Sequence, residues 1–190
     1  MDANVKIEEQ VLVDQDGFKI VATGIEAGKR DNEVYLDIEV TNNTDKIYDI
    51  YTDTVVNGYV AIWEQIDEEG EQREAYLPGE VKGKIKIYGN ALKYADIGKI
   101  GKIEFQDFAV REVEEEPGAE GCVYYDYKID QRDNPFFKAD NIMIQTDAVD
   151  EIKEVRIPEG EELYNENGIK LVKTNPEEAK KLHGIFFYRI

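Results

Sequence analysis

Alternation of apolar and polar residues in short segments is the feature that most limits what this chain can fold into. In residues 34–40, the apolar Val34, Leu36, Ile38 and Val40 are separated by single polar or amphipathic residues. This period of two places the apolar side chains on one face of an extended strand. Similar patterns bounded by turn residues predict further strands at 5–13, 18–23, 47–56, 59–66, 81–88, 102–113, 122–129 and 141–146.

Helix signals are few. Asn90 can cap a short helix over 91–96 that stops before Gly98, and Asn175 can cap another turn of helix within 173–181. Many short strands with Gly-containing turns and so little helix predict an all-β protein, a sandwich or barrel of antiparallel sheets with one or two short helices.

The stretch at 42–59, NNTDKIYDIYTDTVVNGY, raises the question of a cation site because an aspartate recurs at every fourth position. In a strand over 47–56, Asp49 and Asp53 lie on one face about 13 Å apart, too far to share an ion. Asn57-Gly58 is the pair that a two-residue type I′ hairpin turn favours, since both positions need positive φ. The stretch therefore predicts a strand and a turn.

Residues 11–23 resemble residues 162–174 at a constant offset, with Asp16-Gly17 matching Asn167-Gly168 in a second predicted hairpin turn. The repeat predicts a complete domain at 1–147 and a partial repeat of its first strands at 148–190. The tail is too short to close a sandwich by itself. It can begin a second unit, dock on the first domain, or pair with a neighbouring molecule in a homodimer.

Two runs of charge have structural interpretations. Lys82, Lys84 and Lys86 share one face of a predicted strand and are interpreted as protection of a sheet edge. The acidic run at 112–120 is interpreted as a solvated loop rather than a cation site.

Several catalytic classes are excluded by the residues that are missing. The chain contains no serine, which excludes every serine nucleophile, and it has a single cysteine, Cys122, and a single histidine, His183. One cysteine and one histidine exclude an internal disulfide and the usual zinc centres. Phosphate-binding glycine loops are also absent. We therefore expect no enzyme, no catalytic residue, no metal and no cofactor.

The charge of the chain bears on its partners. With 42 acidic against 23 basic residues, the formal net charge is −19, which repels nucleic acid and anionic lipid. No apolar run is long enough for a transmembrane helix. Residues 1–6 have neither the basic nor the apolar part of a signal peptide, so that either the protein stays inside the cell or an export segment was removed.

One aromatic-rich region is a candidate binding surface, because tyrosine and phenylalanine beside polar groups are common in protein and sugar recognition. Core packing is the competing interpretation for part of this set. Its residues are Tyr124, Tyr125, Tyr127, Phe136 and Phe137.

Taken in order, these strand and turn motifs are similar to the immunoglobulin-like domains of uncharacterised secreted lipoproteins of Gram-positive (Firmicutes) bacteria. The segments that carry the likeness are 16–20 (DGFKI), 36–46 (LDIEVTNNTDK), 55–59 (VVNGY), 97–98 (IG) and 103–105 (IEF). The resemblance covers about residues 16–110 and resumes at 141–146 and 162–174. It implies an immunoglobulin-like antiparallel β-sandwich, export to the cell surface, often a lipid anchor on an amino-terminal cysteine, and no established catalytic residues.

Three functions follow as hypotheses. The first is a non-enzymatic cell-surface or secreted module that contacts a protein or a glycan. The second is a carboxylate-dependent glycan-active enzyme, because 42 acidic residues can supply a catalytic pair in any geometry. The third is a structural spacer.

Overall fold

The computed structural model describes residues 2–89, 92, 97–117, 123–127, 131, 133–152, 160–166, 169–174 and 188–189. The protein is all-β, and every pair of strands within these residues is antiparallel. The strands are β1 (Gln10–Gln15), β2 (Phe18–Ala27), β3 (Glu33–Asn42), β4 (Ile47–Val56), β5 (Tyr59–Asp67), β6 (Gly79–Tyr88), β7 (Lys102–Pro117), β8 (Val123–Tyr127), β9 (Phe137–Gln145), β10 (Gly160–Glu166), β11 (Ile169–Thr174) and β12 (Tyr188–Arg189).

The first nine strands form one curved sheet in the order β1-β2-β3-β6-β5-β4-β7-β8, and β9 also pairs with β7. An isolated bridge between Ile7 and Thr146 joins the segment before β1 to the end of β9. The sheet therefore curves back on itself into a near-barrel. The finer assignment, an immunoglobulin-like sandwich, stays a prediction.

The core follows from the alternation in the sequence. Val34, Leu36 and Ile38 on β3 and Ile85 and Ile87 on β6 are fully buried and belong to a single hydrophobic cluster. Burying such a side chain stabilises the folded state by about 1.5–3 kcal/mol. A period of two along paired strands therefore builds a continuous interior wall of the near-barrel.

Two of the three predicted hairpin turns lie within the described residues, and both are confirmed. Asp16 and Gly17 have φ of 44° and 90°, and Asn57 and Gly58 have φ of 49° and 87°. These are the left-handed conformations of a type I′ turn, which Asn, Asp and Gly adopt most readily.

Three sequence predictions need correction. The first strand begins at Gln10 rather than at residue 5. The acidic run is not a loop up to residue 117, because β7 continues through Pro117 and pairs with β8. The lysine-bearing strand β6 is not at a sheet edge but pairs on both sides, with β3 and β5. Carboxylates on neighbouring strands, such as Glu39 beside Lys82 at 2.8 Å, give these lysines a partner.

The predicted helices fall mostly outside the described residues. Of the helix at 91–96, only the buried Leu92 is described. In the segment 173–181, residues 173–174 end β11 and the remainder lies outside the described part. None of the helical segments in the described ranges is both long and apolar enough to cross a membrane.

The two segments of similar sequence have matching strand registers. In the β1–β2 hairpin, Gln15 pairs with Phe18, and a register shift falls between Val11 and Val13. In the β10–β11 hairpin, Glu166 pairs with Ile169, and the shift falls between Glu162 and Tyr164. All of these positions differ by the same offset as the sequence repeat. The two segments therefore form the same irregular hairpin, and β10, β11 and β12 form a separate three-stranded sheet.

The predicted boundary after Asp147 stays a prediction, but packing continues beyond it. Ala148 is 2% exposed and belongs to the core cluster. A 3₁₀ turn at Val149–Glu151 follows, and Lys99 forms an ion pair with Glu151 at 2.9 Å. A Cβ added at Gly101 would overlap the side chain of Ile152. Residues 148–152 are thus attached to the near-barrel.

A chain that ends at Ile152 should consequently be more stable than one that ends at Asp147. We expect a difference of about 1–2 kcal/mol in the free energy of unfolding, because the shorter chain exposes the surface that residues 148–152 cover. Urea denaturation of the two chains measures it. Equal midpoints would mean that these residues contribute nothing to the fold.

Candidate functional site

An open cleft of about 420 Å³ lies where the β2–β3 connection approaches the β5–β6 connection. Its walls come from two connections and from the outward faces of β3 and β6. The lining residues are Glu26, Ala27, Gly28, Lys29, Arg30, Glu33, Tyr35, Ile66, Asp67, Glu68, Glu69, Gly70, Lys84 and Lys86. We call it the charged cleft.

Glu33 is the buried polar residue at the base of the charged cleft, with 4% of its surface exposed. Its carboxylate accepts a hydrogen bond from the backbone N–H of Arg30 at 3.2 Å, and the Arg30 guanidinium and Lys86 ammonium lie 3.7 and 3.9 Å away. A buried carboxylate requires such partners. The turn around it is tight, since a Cβ added at Gly28 would overlap the side chain of Glu33.

Two lysines of β6 form ion pairs with carboxylates on β2, β3 and β5. Lys84 pairs with Glu26 and lies 3.4 Å from Asp37, while Lys86 pairs with Glu64 at 2.6 Å. Hydrogen bonds to Glu26 and Glu64 raise the pKa of Lys84 and Lys86 respectively. Both lysines therefore stay charged, and their positions are set before any ligand arrives.

The rim of the charged cleft carries groups that remain available. Among the described residues, Lys29, Glu68 and Glu69 form no ion pair, and all three are exposed. Asp67 shapes this rim, because its carboxylate accepts hydrogen bonds from the backbone N–H groups of Gly70 and Glu71, each at 2.9 Å. These bonds, led by that of Glu71, lower the pKa of Asp67. The cleft thus offers donors and acceptors of both charges to a ligand.

A second polar region lies between β4 and β5, which pair only near their shared turn, at Thr54–Val56. We call it the β4–β5 split. Side chains take the place of the missing strand pairing: Asp49 accepts a hydrogen bond from the Ile50 N–H at 2.7 Å, and the Trp63 indole N–H donates to the Thr52 carbonyl at 2.7 Å. Gln65 donates across the split to Asp49 at 2.9 Å.

Burial raises the pKa of Asp49 from its ordinary 3.8 to about 6. The hydrogen bonds from Gln65 and Ile50 and the charge of Arg111 act in the opposite direction, and the charge of Glu74 adds to the rise. The Arg111 guanidinium lies 4.3 Å from the ring centre of Tyr51. Asp49 can therefore hold a proton in mildly acidic solution, which an ordinary aspartate does not.

The predicted aromatic surface is only partly described. Phe136 and Phe137 pack against the core: their ring centres lie 4.6 Å from that of Tyr48 and 6.3 Å from that of Phe108, respectively. Tyr125 is half-buried on β8, and the side chains of Tyr124 and Tyr127 lie outside the described residues. The surface as a whole stays a prediction. Cys122 and His183 also fall outside the described part.

The sequence did not predict the charged cleft. In the sequence, the cleft corresponds to two charged turn segments, 28–31 and 67–70. They lie near each other only because β3 and β5 both pair with β6. No periodic pattern reveals that arrangement.

Within the described residues, no group of three or more His, Cys, Asp or Glu side chains is arranged to hold a metal ion. A scan against protein-family models finds no matching family, and a search of the curated proteins finds no match.

Proposed function

We propose that this protein is a non-enzymatic module of the immunoglobulin-like type, exported to the cell surface, that binds a protein or glycan ligand in the charged cleft. The observation that carries the proposal is the preorganised array of opposite charges in that cleft. Groups that are already fixed by ion pairs lose little conformational freedom when a ligand binds. The resemblance of the sequence motifs at 16–20, 36–46 and 55–59 to those of secreted lipoprotein domains is the ground for the proposed location.

The charge balance of the charged cleft favours an uncharged or mixed-charge ligand. Its lining contains five carboxylates and four cationic side chains, although the chain as a whole has a net charge of −19. A polyanion would meet repulsion from the surrounding protein. Sugar hydroxyls and peptide groups both donate and accept hydrogen bonds, and so match a site that offers both.

Replacement of Lys29 or Glu69 by alanine should weaken ligand binding about 3- to 10-fold, because each removes an available charged group from the rim. A glycan array and a panel of surface proteins would identify the ligand, and calorimetry would measure the change. Lys138→Ala on β9 is the matched control, since it removes an exposed lysine away from the cleft. Equal effects of all three substitutions would contradict the proposal.

A carboxylate-dependent glycan-active enzyme is the second candidate, and the observation that favours it is the partly buried Asp49 with a second carboxylate, Glu74, close enough to act on it electrostatically. The Asp49 pKa of about 6 suits a general acid. Asp49→Asn would then abolish the release of reducing sugar from a glycan substrate. If the unaltered protein releases no reducing sugar from any glycan that it binds, the enzyme hypothesis is wrong and the binding function is retained.

A further inference from the structure

The Glu33 carboxylate at the base of the charged cleft has one oxygen with a hydrogen bond and one without. Its side chain is only 4% exposed, and Oε2 accepts the bond from the Arg30 N–H. Oε1 lies 3.7 Å from Arg30 Nη1 and 3.9 Å from Lys86 Nζ, distances longer than those of hydrogen bonds. Among the described residues, Oε1 therefore accepts no hydrogen bond, which is unfavourable for a buried carboxylate oxygen.

The β2–β3 connection and β5 keep this arrangement from closing. The Gly28 N–H donates to the Glu33 carbonyl at 3.0 Å, and the Glu33 N–H donates to the Arg30 carbonyl at 3.1 Å. A side chain at residue 28 would overlap that of Glu33, so this tight turn requires glycine. The Lys86 ammonium cannot move closer without leaving Glu64, which holds it at 2.6 Å. Oε1 is thus fixed in position before a ligand binds, and a ligand that donates to it loses little binding energy to reorganisation.

Charges on both sides of Oε1 disfavour an ionised ligand group. A cationic group that approached Oε1 would lie beside the side chains of Arg30 and Lys86. An anionic group that approached these two cations would lie beside the Glu33 carboxylate. In each case repulsion from one side offsets attraction from the other. The position therefore favours a neutral group that both donates and accepts hydrogen bonds.

A hydroxyl group meets this requirement with a single atom. A hydrogen bond from a hydroxyl to a carboxylate spans about 2.5–2.7 Å, and one from a cationic nitrogen to a hydroxyl oxygen about 2.7–3.2 Å. One hydroxyl oxygen can therefore contact both Oε1 and a nitrogen that lies 3.7 or 3.9 Å from it. In a trans peptide group the N–H and C=O point in opposite directions, so that one peptide group cannot contact both. The cleft volume of about 420 Å³ is also in the range of about 300–1,000 Å³ typical of small-ligand sites.

We propose that the ligand of the charged cleft is a neutral saccharide, one hydroxyl of which donates to Glu33 Oε1 and accepts from Arg30 or Lys86. This inference rests on the proposed function and selects a glycan over a protein. It also makes Glu33 a specificity-determining residue. A sugar whose hydroxyl is missing or inverted at that position leaves Oε1 without a donor, and such a mismatch strongly reduces binding.

The test is an NMR titration of the isotope-labelled full chain with a panel of neutral mono- and disaccharides, and with a capped dialanine peptide as the protein-like probe. We expect at least one sugar to shift the amide signals of residues 28–35 and 67–70. Within the deoxy series of that sugar, the analogue that lacks the bridging hydroxyl should bind at least about 10-fold more weakly, because a hydrogen bond to a charged group is lost.

Matched variants test the role of Glu33. Glu33→Gln should weaken binding of the sugar about 10-fold and narrow the difference between the sugar and its deoxy analogue. Glu39→Gln is the control, since Glu39 lies on the same strand and pairs with Lys82 outside the charged cleft. If the amide spectrum shows that Glu33→Gln does not fold, Arg30→Gln replaces it. The Arg30 side chain is 78% exposed, and its loss should weaken sugar binding about 5-fold.

The outcomes separate this inference from the proposed function. Shifts of the cleft signals by the capped peptide and by none of the sugars would overturn the saccharide assignment but leave the charged cleft as a binding site. Shifts confined to other parts of the protein, or no shift with any probe, would contradict both. Equal affinities of Glu33→Gln, Glu39→Gln and the unaltered protein for the sugar would overturn the role of Glu33.

Discussion

Replacement of Asn57 by alanine is expected to lower the free energy of unfolding by about 3–5 kcal/mol. Asn57 is 2% exposed and makes three side-chain hydrogen bonds. Its amide donates to the Lys99 carbonyl at 2.7 Å, and its oxygen accepts from the N–H groups of Gly101 and Lys102 at 2.9 and 3.0 Å. Alanine leaves the buried Gly101 N–H without a partner, at a cost of about 1–3 kcal/mol, and the part-buried Lys99 carbonyl and Lys102 N–H, which water can reach, add about 1 kcal/mol each.

The backbone conformation adds a second, smaller cost. Asn57 has a φ of 49°, which costs most residues other than glycine about 1–2 kcal/mol. Asn57→Gly removes the same hydrogen bonds without this strain, and should therefore be about 1 kcal/mol less damaging than Asn57→Ala.

Asp16→Ala is the matched control for the Asn57 substitutions. Asp16 holds the same position in the β1–β2 turn, with a φ of 44°, but it is exposed. We expect about 1 kcal/mol of destabilisation there, from the backbone alone. Urea denaturation of the variants measures all three values. If Asn57→Ala costs no more than Asp16→Ala, the hydrogen bonds to the 99–102 segment do not stabilise the fold.

Replacement of Asp49 by asparagine is expected to raise the free energy of unfolding at pH 7.5 by about 1–3 kcal/mol. The shift of the Asp49 pKa from 3.8 to about 6 corresponds to about 3 kcal/mol, which partial exposure of the side chain reduces. Asparagine keeps an oxygen that can accept from Gln65 and from the Ile50 N–H. Its new N–H group can also donate to the Gln65 carbonyl oxygen, a buried atom without a partner among the described residues.

The pH dependence distinguishes this effect from a simple gain in packing. Because the pKa of Asp49 is higher in the folded protein than in the unfolded one, the folded protein binds the proton more tightly between about pH 4 and pH 6. The contribution of Asp49 to stability is therefore greatest below pH 4 and is lost as the pH rises through 6. The difference between Asp49→Asn and the unaltered protein should grow across that window and be constant above it.

Asp53→Asn serves as the control for Asp49→Asn on the same strand. Asp53 is exposed, and a substitution at such a position changes stability by no more than about 0.5 kcal/mol. Denaturation at a series of pH values compares the two variants. A stability difference for Asp49→Asn that does not vary with pH would mean that burial does not raise the pKa of this carboxyl group.

Much of the fold was predictable because strands and hairpin turns are local. The alternation over 47–56 predicted β4 with its observed bounds, and Asn57-Gly58 predicted its turn. The position of β6 was not predictable in the same way. Lysines on the solvent-exposed face of a strand occur both in edge strands and in central strands whose outer face carries ion pairs. Only the observed pairing of β6 with β3 and β5 shows that β6 is a central strand.

The same distinction applies to Asn57 and Asp49. The sequence predicted a turn residue at Asn57, but its hydrogen bonds reach the 99–102 segment, more than 40 residues along the chain. The predicted strand also placed Asp49 on the same face as Asp53. It did not predict the raised pKa, because that pKa depends on Gln65, Arg111 and Glu74, which come from different parts of the chain.

The sequence by itself determined the all-β class, most strand positions and the two-residue turns, because each depends on neighbours within about ten residues. Tertiary structure alone decided the order of strands in the sheet and the convergence of two charged turns into the charged cleft. These features depend on contacts between distant segments. Many different pairings satisfy the same alternation, and only the folded chain selects one.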